Sequence, residues 1–251
     1  MENLHVFITE DIPSEFSNQV LEFGRRSSAA WSFFTSGGSL APKLYESLAS
    51  HASFISQAKT ISFYLGDERV VDPDTDSSNT FNLRRSLIAP LGEKGITVSV
   101  FAPFTSTEFR ALAKTFSGKP SSDYRQCETV AKEYADKIKA APRPWLVHLG
   151  MGPDGHTASL FARSPAIAPD RQTQDLYLSN YDPSGRNPYC RLTLSLQAIS
   201  TAELVIITTS GKDKAQTVKG LLEGDLSLPV SRIRAKQINL IIDHEAASSA
   251  V

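Results

Sequence analysis

Short apolar stretches rich in β-branched and aromatic residues alternate along this 251-residue chain with stretches that have helical spacing. A helical stretch can carry the chain from the end of one parallel strand back to the start of the next, whereas a tight turn joins only antiparallel neighbours. The alternation therefore predicts an α/β fold, with a mostly parallel sheet covered by helices on both faces. Strands are expected at 4–9, 31–35, 61–65, 96–101, 145–149, 203–209 and 237–242, and helices at 13–30, 41–49, 80–87, 124–140, 157–161 and 212–222.

Three less regular segments complete this pattern. The polar segments 117–123 and 181–188 are predicted as surface loops, and 174–194 is expected to add two further strands, one of them antiparallel. Both loops are too short for linkers, and no repeat or change in composition divides the chain. We therefore expect a single domain over residues 1–251.

Composition and charge exclude several classes of function. A formal net charge of -1 argues against nucleic acid or an anionic membrane as the main partner. No apolar run is long enough to span a bilayer, and the first residues lack the basic and apolar regions of a signal peptide, so a cytoplasmic protein is expected. Cys127 and Cys190 do not have metal-ligand spacing, and the histidines form no paired motif, so we expect no metal site. His148, inside a predicted strand, is expected either in the core or directly behind the site residues.

The most informative motif follows the strand predicted at 145–149. Residues 150–161 read Gly-Met-Gly-Pro-Asp-Gly-His-Thr-Ala-Ser-Leu-Phe, so a glycine-rich turn presents Asp154 and His156 at the carboxyl end of a strand. The α/β proteins bind their ligands at this edge. At the entrance of the helix predicted at 157–161, a neutral imidazole can take a proton from water while Asp154 orients its ring.

The same glycines permit a different interpretation. Gly150, Gly152 and Gly155 satisfy the G-x-G-x-x-G pattern of dinucleotide-binding proteins, and an acidic residue follows about twenty positions later. Inside the pattern, however, Asp154 would repel a pyrophosphate. The chain also lacks an adjacent βαβ unit of the expected length, so this interpretation is disfavoured.

Two further strand ends carry candidate ligand-binding residues. Gly37, Gly38 and Ser39 follow the strand at 31–35 and precede a helix, whose free N–H groups could bind a phosphate; a plain strand-to-helix turn is an equally good interpretation. Asp67 and Arg69 follow the strand at 61–65 and could orient a catalytic group and bind an anion. On their own, they are better explained as part of a solvated loop with weak surface ion pairs.

Two cations complete the candidate site. Arg191 and Lys214 lie near strand edges or ends, where they could close around a phosphate dianion together with the 37–38 glycines. Taken singly, each is more often a surface charge. Lys214 is favoured over Lys212 because its helical position places it nearer the inward side.

Taken in order, these motifs resemble those of the 6-phosphogluconolactonase family, over most of the chain. The matching segments are Ser-Gly-Gly-Ser at 36–39, Gly-Asp-Glu-Arg-Val-Val at 66–71 with Ser-Asn at 78–79, the 150–161 motif, Arg-Leu-Thr-Leu at 191–194 and Gly-x-x-Lys-Ala at 211–215. The resemblance implies a three-layer α/β/α fold with a mostly parallel, Rossmann-like central sheet. It also implies hydrolysis of 6-phosphoglucono-δ-lactone to 6-phosphogluconate, the second step of the oxidative pentose phosphate pathway.

The resemblance also assigns roles to residues of this sequence. His156 matches the catalytic histidine with Asp154 beside it, Asp67 and Arg69 match polar residues that line the site, and the phosphate-binding positions match Gly37, Gly38, Ser39, Arg191 and Lys214. The segment 185–190 lacks the proline-rich lead-in expected before Arg191, so Arg186 is an alternative for the phosphate. We expect a monomer that uses no cofactor, with a functional link to glucose-6-phosphate dehydrogenase.

Two other functions are compatible with part of this pattern. Amino-sugar-phosphate isomerases and deaminases of the same superfamily follow the histidine with an asparagine-glutamate-proline stretch, whereas residues 160–163 here read Leu-Phe-Ala-Arg and supply no acid. A non-catalytic sugar-phosphate sensor would carry a helix-turn-helix ahead of the domain, whereas this chain begins with a strand predicted at residue 4. Asp154 and His156 would also be needless for binding alone.

Overall fold

A seven-stranded parallel sheet forms the centre of the structure, a computed structural model that describes residues 3–27, 30–51, 60–168 and 175–249. Its strands are β1 (Leu4–Ile8), β2 (Trp31–Thr35), β3 (Ile61–Leu65), β5 (Ser99–Phe101), β6 (Trp145–Gly150), β9 (Leu204–Thr209) and β10 (Ile238–Ile242). They lie in the order β1-β10-β9-β6-β2-β3-β5, and every neighbouring pair is parallel. The predicted sheet is confirmed, although the strand expected at 96–101 is shorter.

A second, antiparallel sheet lies beside the first. It contains β4 (Asp67–Arg69), β7 (Tyr177–Asn180) and β8 (Arg191–Leu194) in the order β4-β8-β7. Two strands were expected in the segment 174–194. Residue 174 lies outside the described residues. The two strands are present, but both are antiparallel to their neighbours and neither joins the large sheet. β4 was predicted as a loop, since Asp-Glu-Arg has low strand propensity. It is a strand because it pairs with β8, a segment distant in sequence.

Helices connect the strands, and most lie where they were expected. Residues 28–29 of the helix predicted at 13–30 lie outside the described residues, and the segment 117–123, predicted as a loop, contains a short helix. No described helix is long and apolar enough to cross a membrane. The helices within the described residues are α1 (Ile12–Arg26), α2 (Ala41–Ser50), α3 (Asn79–Leu83), α4 (Ala89–Glu93), α5 (Ser106–Ala113), α6 (Pro120–Asp123), α7 (Glu128–Lys139), α8 (Leu196–Ser200), α9 (Ala215–Glu223) and α10 (His244–Ala247), with a π-helical turn at Arg84–Ile88 and 3₁₀ turns at Tyr124–Cys127, Pro165–Ile167, Lys212–Lys214 and Pro229–Arg232.

The prediction of a helix at 157–161 is wrong. The chain instead folds back on itself in two isolated bridges, which pair Thr157 with Met151 and with Leu160. The backbone of Ser159 donates to the Thr193 hydroxyl at 3.2 Å, so tertiary contacts replace the local helical hydrogen bonds. His156 therefore lies in a turn and not at a helix N-terminus, which corrects the expected helix entrance.

Both faces of the central sheet are buried, which makes three layers. In β2, Phe33 packs into a core with residues of α1 and α2, whereas Phe34 packs into a second core with residues of α7. All five residues of β2 are buried, as expected for a central parallel strand. The structure thus has the predicted α/β architecture.

The strand order places a crevice at the carboxyl end of the sheet. From β2, the chain continues outwards to β3 and β5 on one side, whereas β6, β9 and β10 fill the other side. The loops after β2 and β6 therefore separate above the sheet, and such switch points are where α/β proteins bind ligands.

Candidate active site

A pocket of about 240 Å³ lies at this crevice. The loops after β2, β6 and β9 line it together with the small antiparallel sheet. Eight of the nine site residues predicted from the sequence belong to the lining, although they come from five segments distant in sequence: Gly37, Gly38, Ser39, Asp67, Arg69, His156, Arg191 and Lys214. The ninth residue, Asp154, lies behind His156 and contacts its ring.

His156 and Asp154 form a close hydrogen-bonded pair. Nδ1 of His156 lies 2.5 Å from Oδ1 of Asp154, and the backbone N–H of His156 donates to the same oxygen at 3.2 Å. The hydrogen bond from His156 lowers the pKa of Asp154 to about 2, so the carboxylate is ionised at neutral pH. Because an ionised carboxylate accepts the Nδ1 proton, Nε2 is the ring atom left to accept a proton. The ring also packs on Phe161, with centroids 5.1 Å apart.

Gly152 makes room for this pair. A Cβ atom at this position would lie 2.2 Å from Cε1 of His156 and 2.9 Å from Oδ1 of Asp154. The second glycine of the motif therefore serves the close approach of the imidazole to the backbone, a different use from the approach of a pyrophosphate.

Asp67 joins two of the loops that form the pocket. It is only 4% exposed, and its carboxylate accepts hydrogen bonds from the hydroxyls of Ser36 at 3.3 Å and Ser159 at 2.8 Å. The expectation of a solvated loop at 67–69 is therefore wrong, because β4 lies inside the protein. The strand pairing with β8 supplies the burial that the local sequence does not indicate.

Glu68, fully buried next to Asp67, organises the backbone behind the pocket. Its carboxylate accepts five hydrogen bonds, from the backbone N–H groups of Arg69, Asn79 and Thr80 and from the hydroxyls of Ser78 and Thr80. Burial raises its pKa, while these donors oppose the increase and favour the ionised form. Asn79 is thereby placed against Gly37, where a Cβ atom would lie only 2.0 Å from Oδ1 of Asn79.

Two arginines face each other across the small sheet. Arg69 of β4 is the direct ladder partner of Arg191 of β8, and the Nε atoms of both are buried without a hydrogen-bond partner in the described structure. Burial lowers the pKa of Arg191 to about 10; the charge of Asp67 opposes this decrease, and the charge of Arg69 adds to it. Like charges placed directly opposite each other destabilise a sheet, and the attraction of an anion to both of them offsets that repulsion. The pair is therefore suited to an anionic ligand.

Neighbouring groups hold the cations in place. Nη2 of Arg191 donates to Oδ1 of Asn187 at 3.0 Å, and the amide of Asn187 donates to Asp182 at 2.7 Å. Lys214 lies in the 3₁₀ turn before α9 and pairs with Asp213. The N-terminus of α2 also reaches the pocket, where Leu40 and Ala41 contribute to the lining.

No group of three or more His, Cys, Asp and Glu side chains in the described part of the chain could hold a metal ion.

Comparisons with known proteins agree with the geometry. A family model described as glucosamine-6-phosphate isomerases/6-phosphogluconolactonase matches residues 12–242. The chain belongs to this family. A 6-phosphogluconolactonase of Helicobacter pylori is 30% identical over 240 residues, which cover 94% of this chain and 91% of the relative.

Two further comparisons cover almost the whole of this chain. A probable 6-phosphogluconolactonase 1 of Arabidopsis thaliana is 28% identical over 250 residues, covering 93% of this chain and 87% of the relative. The crystal structure of 6-phosphogluconolactonase from Leishmania guyanensis has a TM-score of 0.80 and 27% identity, and 98% of each chain is covered. The three-layer fold is thus that of solved structures of this family.

The pocket of this family member also contains residues that the sequence analysis did not select. Asn187 lies in the 181–188 loop, and Thr208, Thr209 and Ser210 lie at and after the end of β9. The three hydroxyl residues carried a usable signal, since they end a predicted parallel strand on the edge that binds ligands. Asn187 carried none, because its position depends on the folding of the loop. Arg186 lies in the exposed part of that loop, outside the pocket lining.

Proposed function

We propose that this chain hydrolyses 6-phosphoglucono-1,5-lactone to 6-phosphogluconate. The supporting observation is that one pocket of about 240 Å³ combines His156, which Asp154 contacts from behind, with a glycine-rich loop and three cationic side chains. Asp67 adds one negative charge to that lining, so the charges of its carboxylate, arginine and lysine side chains sum to a positive value. A phosphorylated substrate with a carbonyl group to be attacked by water fits this combination.

Two of the three cations, Arg191 and Lys214, bind the phosphate in this proposal together with the loop after β2. Gly38 and Ser39 offer backbone N–H groups beside the N-terminus of α2, whose dipole favours an anion. Arg191 supplies a planar fork of donors, and Lys214 supplies a mobile point charge. Arg191 is chosen over Arg186 because only Arg191 lines the pocket.

His156 acts as the general base. Its Nε2 takes a proton from water as the water oxygen attacks C1 of the lactone, while Asp154 keeps the proton on Nδ1 and stabilises the imidazolium. The C1–O5 bond of the tetrahedral intermediate then breaks, and the imidazolium returns the proton to the ring oxygen. Proton balance is thereby restored without a metal ion, which we propose is not required.

Arg69 and Asp67 complete the chemistry. The Nε of Arg69, buried and without a hydrogen-bond partner among the residues that the structure describes, is suited to donate to the oxyanion that develops on the carbonyl oxygen. Asp67 holds the loop after β2 and the turn at Ser159 in one arrangement, through its two hydroxyl donors. We propose that it orients the sugar ring between the phosphate site and His156.

We further propose that residues 1–251 act as a single-domain cytoplasmic monomer. The lactone is the product of a sugar-phosphate dehydrogenase reaction, so a functional link to glucose-6-phosphate dehydrogenase follows from the proposed substrate.

Wild-type protein tests the proposal directly. The lactone is generated in situ, the spontaneous hydrolysis rate is subtracted, and 6-phosphogluconate is quantified before and after treatment with a chelator. We expect a rate well above background that the chelator does not change. Glucosamine 6-phosphate serves as the counter-substrate, since release of ammonia from it, with no lactone hydrolysis, would favour the isomerase and deaminase branch of the family. Binding of 6-phosphogluconate without turnover of either substrate would favour a sensor.

A further inference from the structure

A buried chain of hydrogen bonds connects the loop after β2 to the end of β9. The Tyr45 hydroxyl of α2 lies 2.8 Å from Nδ1 of His148 in β6, and Nε2 of His148 lies 3.0 Å from the hydroxyl of Thr208 in β9. Tyr45 also contacts Ser36 twice: its oxygen accepts the backbone N–H of Ser36 at 2.8 Å, and its hydroxyl lies 2.8 Å from the carbonyl of Ser36. The reaction proposed above uses neither Tyr45 nor His148.

One arrangement of protons satisfies every contact in this series of hydrogen bonds. Tyr45 has a single hydroxyl proton, and donating it to the Ser36 carbonyl leaves the tyrosine oxygen as an acceptor towards His148. Nδ1 of His148 must then carry the ring proton, and Nε2 must accept from Thr208. If Tyr45 donated to Nδ1 instead, the buried Ser36 carbonyl would lose this donor, which is costly.

His148 is fixed in this neutral form by its surroundings. It is 1% exposed, and the ring of Phe16 packs against it with centroids 4.8 Å apart. Burial lowers the pKa of His148 to about 3. The imidazole is therefore a connector with one donor and one acceptor across the pH range in which proteins normally work.

We propose that Tyr45 and His148 are positioning residues, which fix the backbone of the phosphate-binding loop at 36–39 and orient the hydroxyl of Thr208. With its proton turned towards His148, the oxygen of Thr208 is an acceptor. Because Thr208 lines the pocket, it selects a hydroxyl group of the substrate and not a phosphate oxygen. The inference rests on the proposed function for the identity of this substrate only.

The substitution Tyr45→Phe removes one oxygen atom and tests the loop. Tyr134→Phe is the matched control, because the Tyr134 hydroxyl is equally buried, accepts the Leu65 N–H at 2.8 Å and donates to the Phe101 carbonyl at 2.7 Å, but does not line the pocket. Binding of inorganic phosphate, measured by calorimetry, should weaken about tenfold in Tyr45→Phe and less than about twofold in the control. For the lactone, KM should rise about tenfold while kcat changes less than about threefold. Equal effects of the two substitutions, or no phosphate binding by wild type, would overturn the inference.

Nitrogen-15 NMR of the histidine ring tests the proton arrangement without any mutation. Wild type should show the Nδ1–H tautomer of His148 from pH 5 to 9, and Tyr45→Phe should shift the ring towards the Nε2–H tautomer. An Nε2–H tautomer in wild type would overturn the assignment. Thr208→Val should raise KM for the lactone about fivefold and change phosphate affinity less than about twofold; the reverse pattern contradicts the role of Thr208. Phosphate binding and the tautomer need no turnover, so they distinguish failure of this inference from failure of the proposed function.

Discussion

Replacing Gly152 by alanine should separate the position of His156 from the stability of the fold. The new Cβ would lie 2.2 Å from Cε1 and 2.3 Å from Nδ1 of the imidazole, whereas ordinary van der Waals contact begins at 3.4 Å. The ring must therefore retreat by about 1.2 Å, a distance that stretches its hydrogen bond to Asp154. A misplacement of about 1 Å typically costs about 100-fold in rate, so we expect kcat for lactone hydrolysis to fall by that factor.

The stability cost of the same substitution should be small. The His156 side chain is 26% exposed, which allows the ring to move into the pocket, so we expect the unfolding free energy to fall by less than about 1 kcal/mol, equivalent to about 2–4 °C in Tm. Gly92→Ala is the control, since a Cβ there would have no atom within 4 Å among the described residues beyond its own helix turn. Steady-state kinetics and thermal unfolding are measured on all three proteins. A folded Gly152→Ala variant with kcat within about threefold of wild type would refute the reasoning.

Three further predictions concern buried charge. Burial lowers the pKa of His148 to about 3, below the value of about 6.5 in an unfolded chain, so only the unfolded state binds a proton between these two pH values. The neutral, buried His148 therefore contributes its full stabilisation above pH 6.5. This contribution is lost as the pH falls, by about 2 kcal/mol from pH 7 to 5. Urea unfolding of His148→Phe should lack that part of the pH dependence, and an unchanged slope would contradict the burial argument. Arg191→Lys retains the charge but loses the planar fork, so KM for the lactone should rise about tenfold at nearly constant kcat; a purely kcat effect would place Arg191 in the chemistry instead. Glu68→Gln turns an amide donor towards buried N–H groups, so it should lower the unfolding free energy by about 3 kcal/mol in denaturant titrations. A loss under about 0.5 kcal/mol would mean that Glu68 does not organise this segment.

The sequence was sufficient for the features that depend on local patterns. Alternating apolar runs specify the central sheet, and parallel strands bring their carboxyl ends to one edge. The polar residues after β2, β3, β6 and β9 therefore had to lie near one another, and the pocket contains Ser39, Asp67, His156 and Lys214 together.

The remaining features depend on contacts between distant segments. β4 is a strand because Asp67 pairs with Thr193, far away in sequence, and the three polar residues of β4 carry no local sign of this. The turn after His156 is not helical, because Ser159 bonds to Asp67 and Thr193. Asn187 reaches the pocket only through the loop held by Asp182. Such long-range pairing competes with local propensity and cannot be read from it.

The pH dependence of lactone hydrolysis by wild type and His156→Gln tests the central claim most directly. Glutamine occupies a similar volume and forms hydrogen bonds but cannot serve as a general base. We predict that the enzymatic rate, after subtraction of spontaneous hydrolysis, falls by about 10²–10⁴ at neutral pH and loses the wild-type pH profile, while 6-phosphogluconate still binds. A His156→Gln variant that retains a rate within about tenfold of wild type, with the same pH profile, would contradict the assignment of His156 as the base.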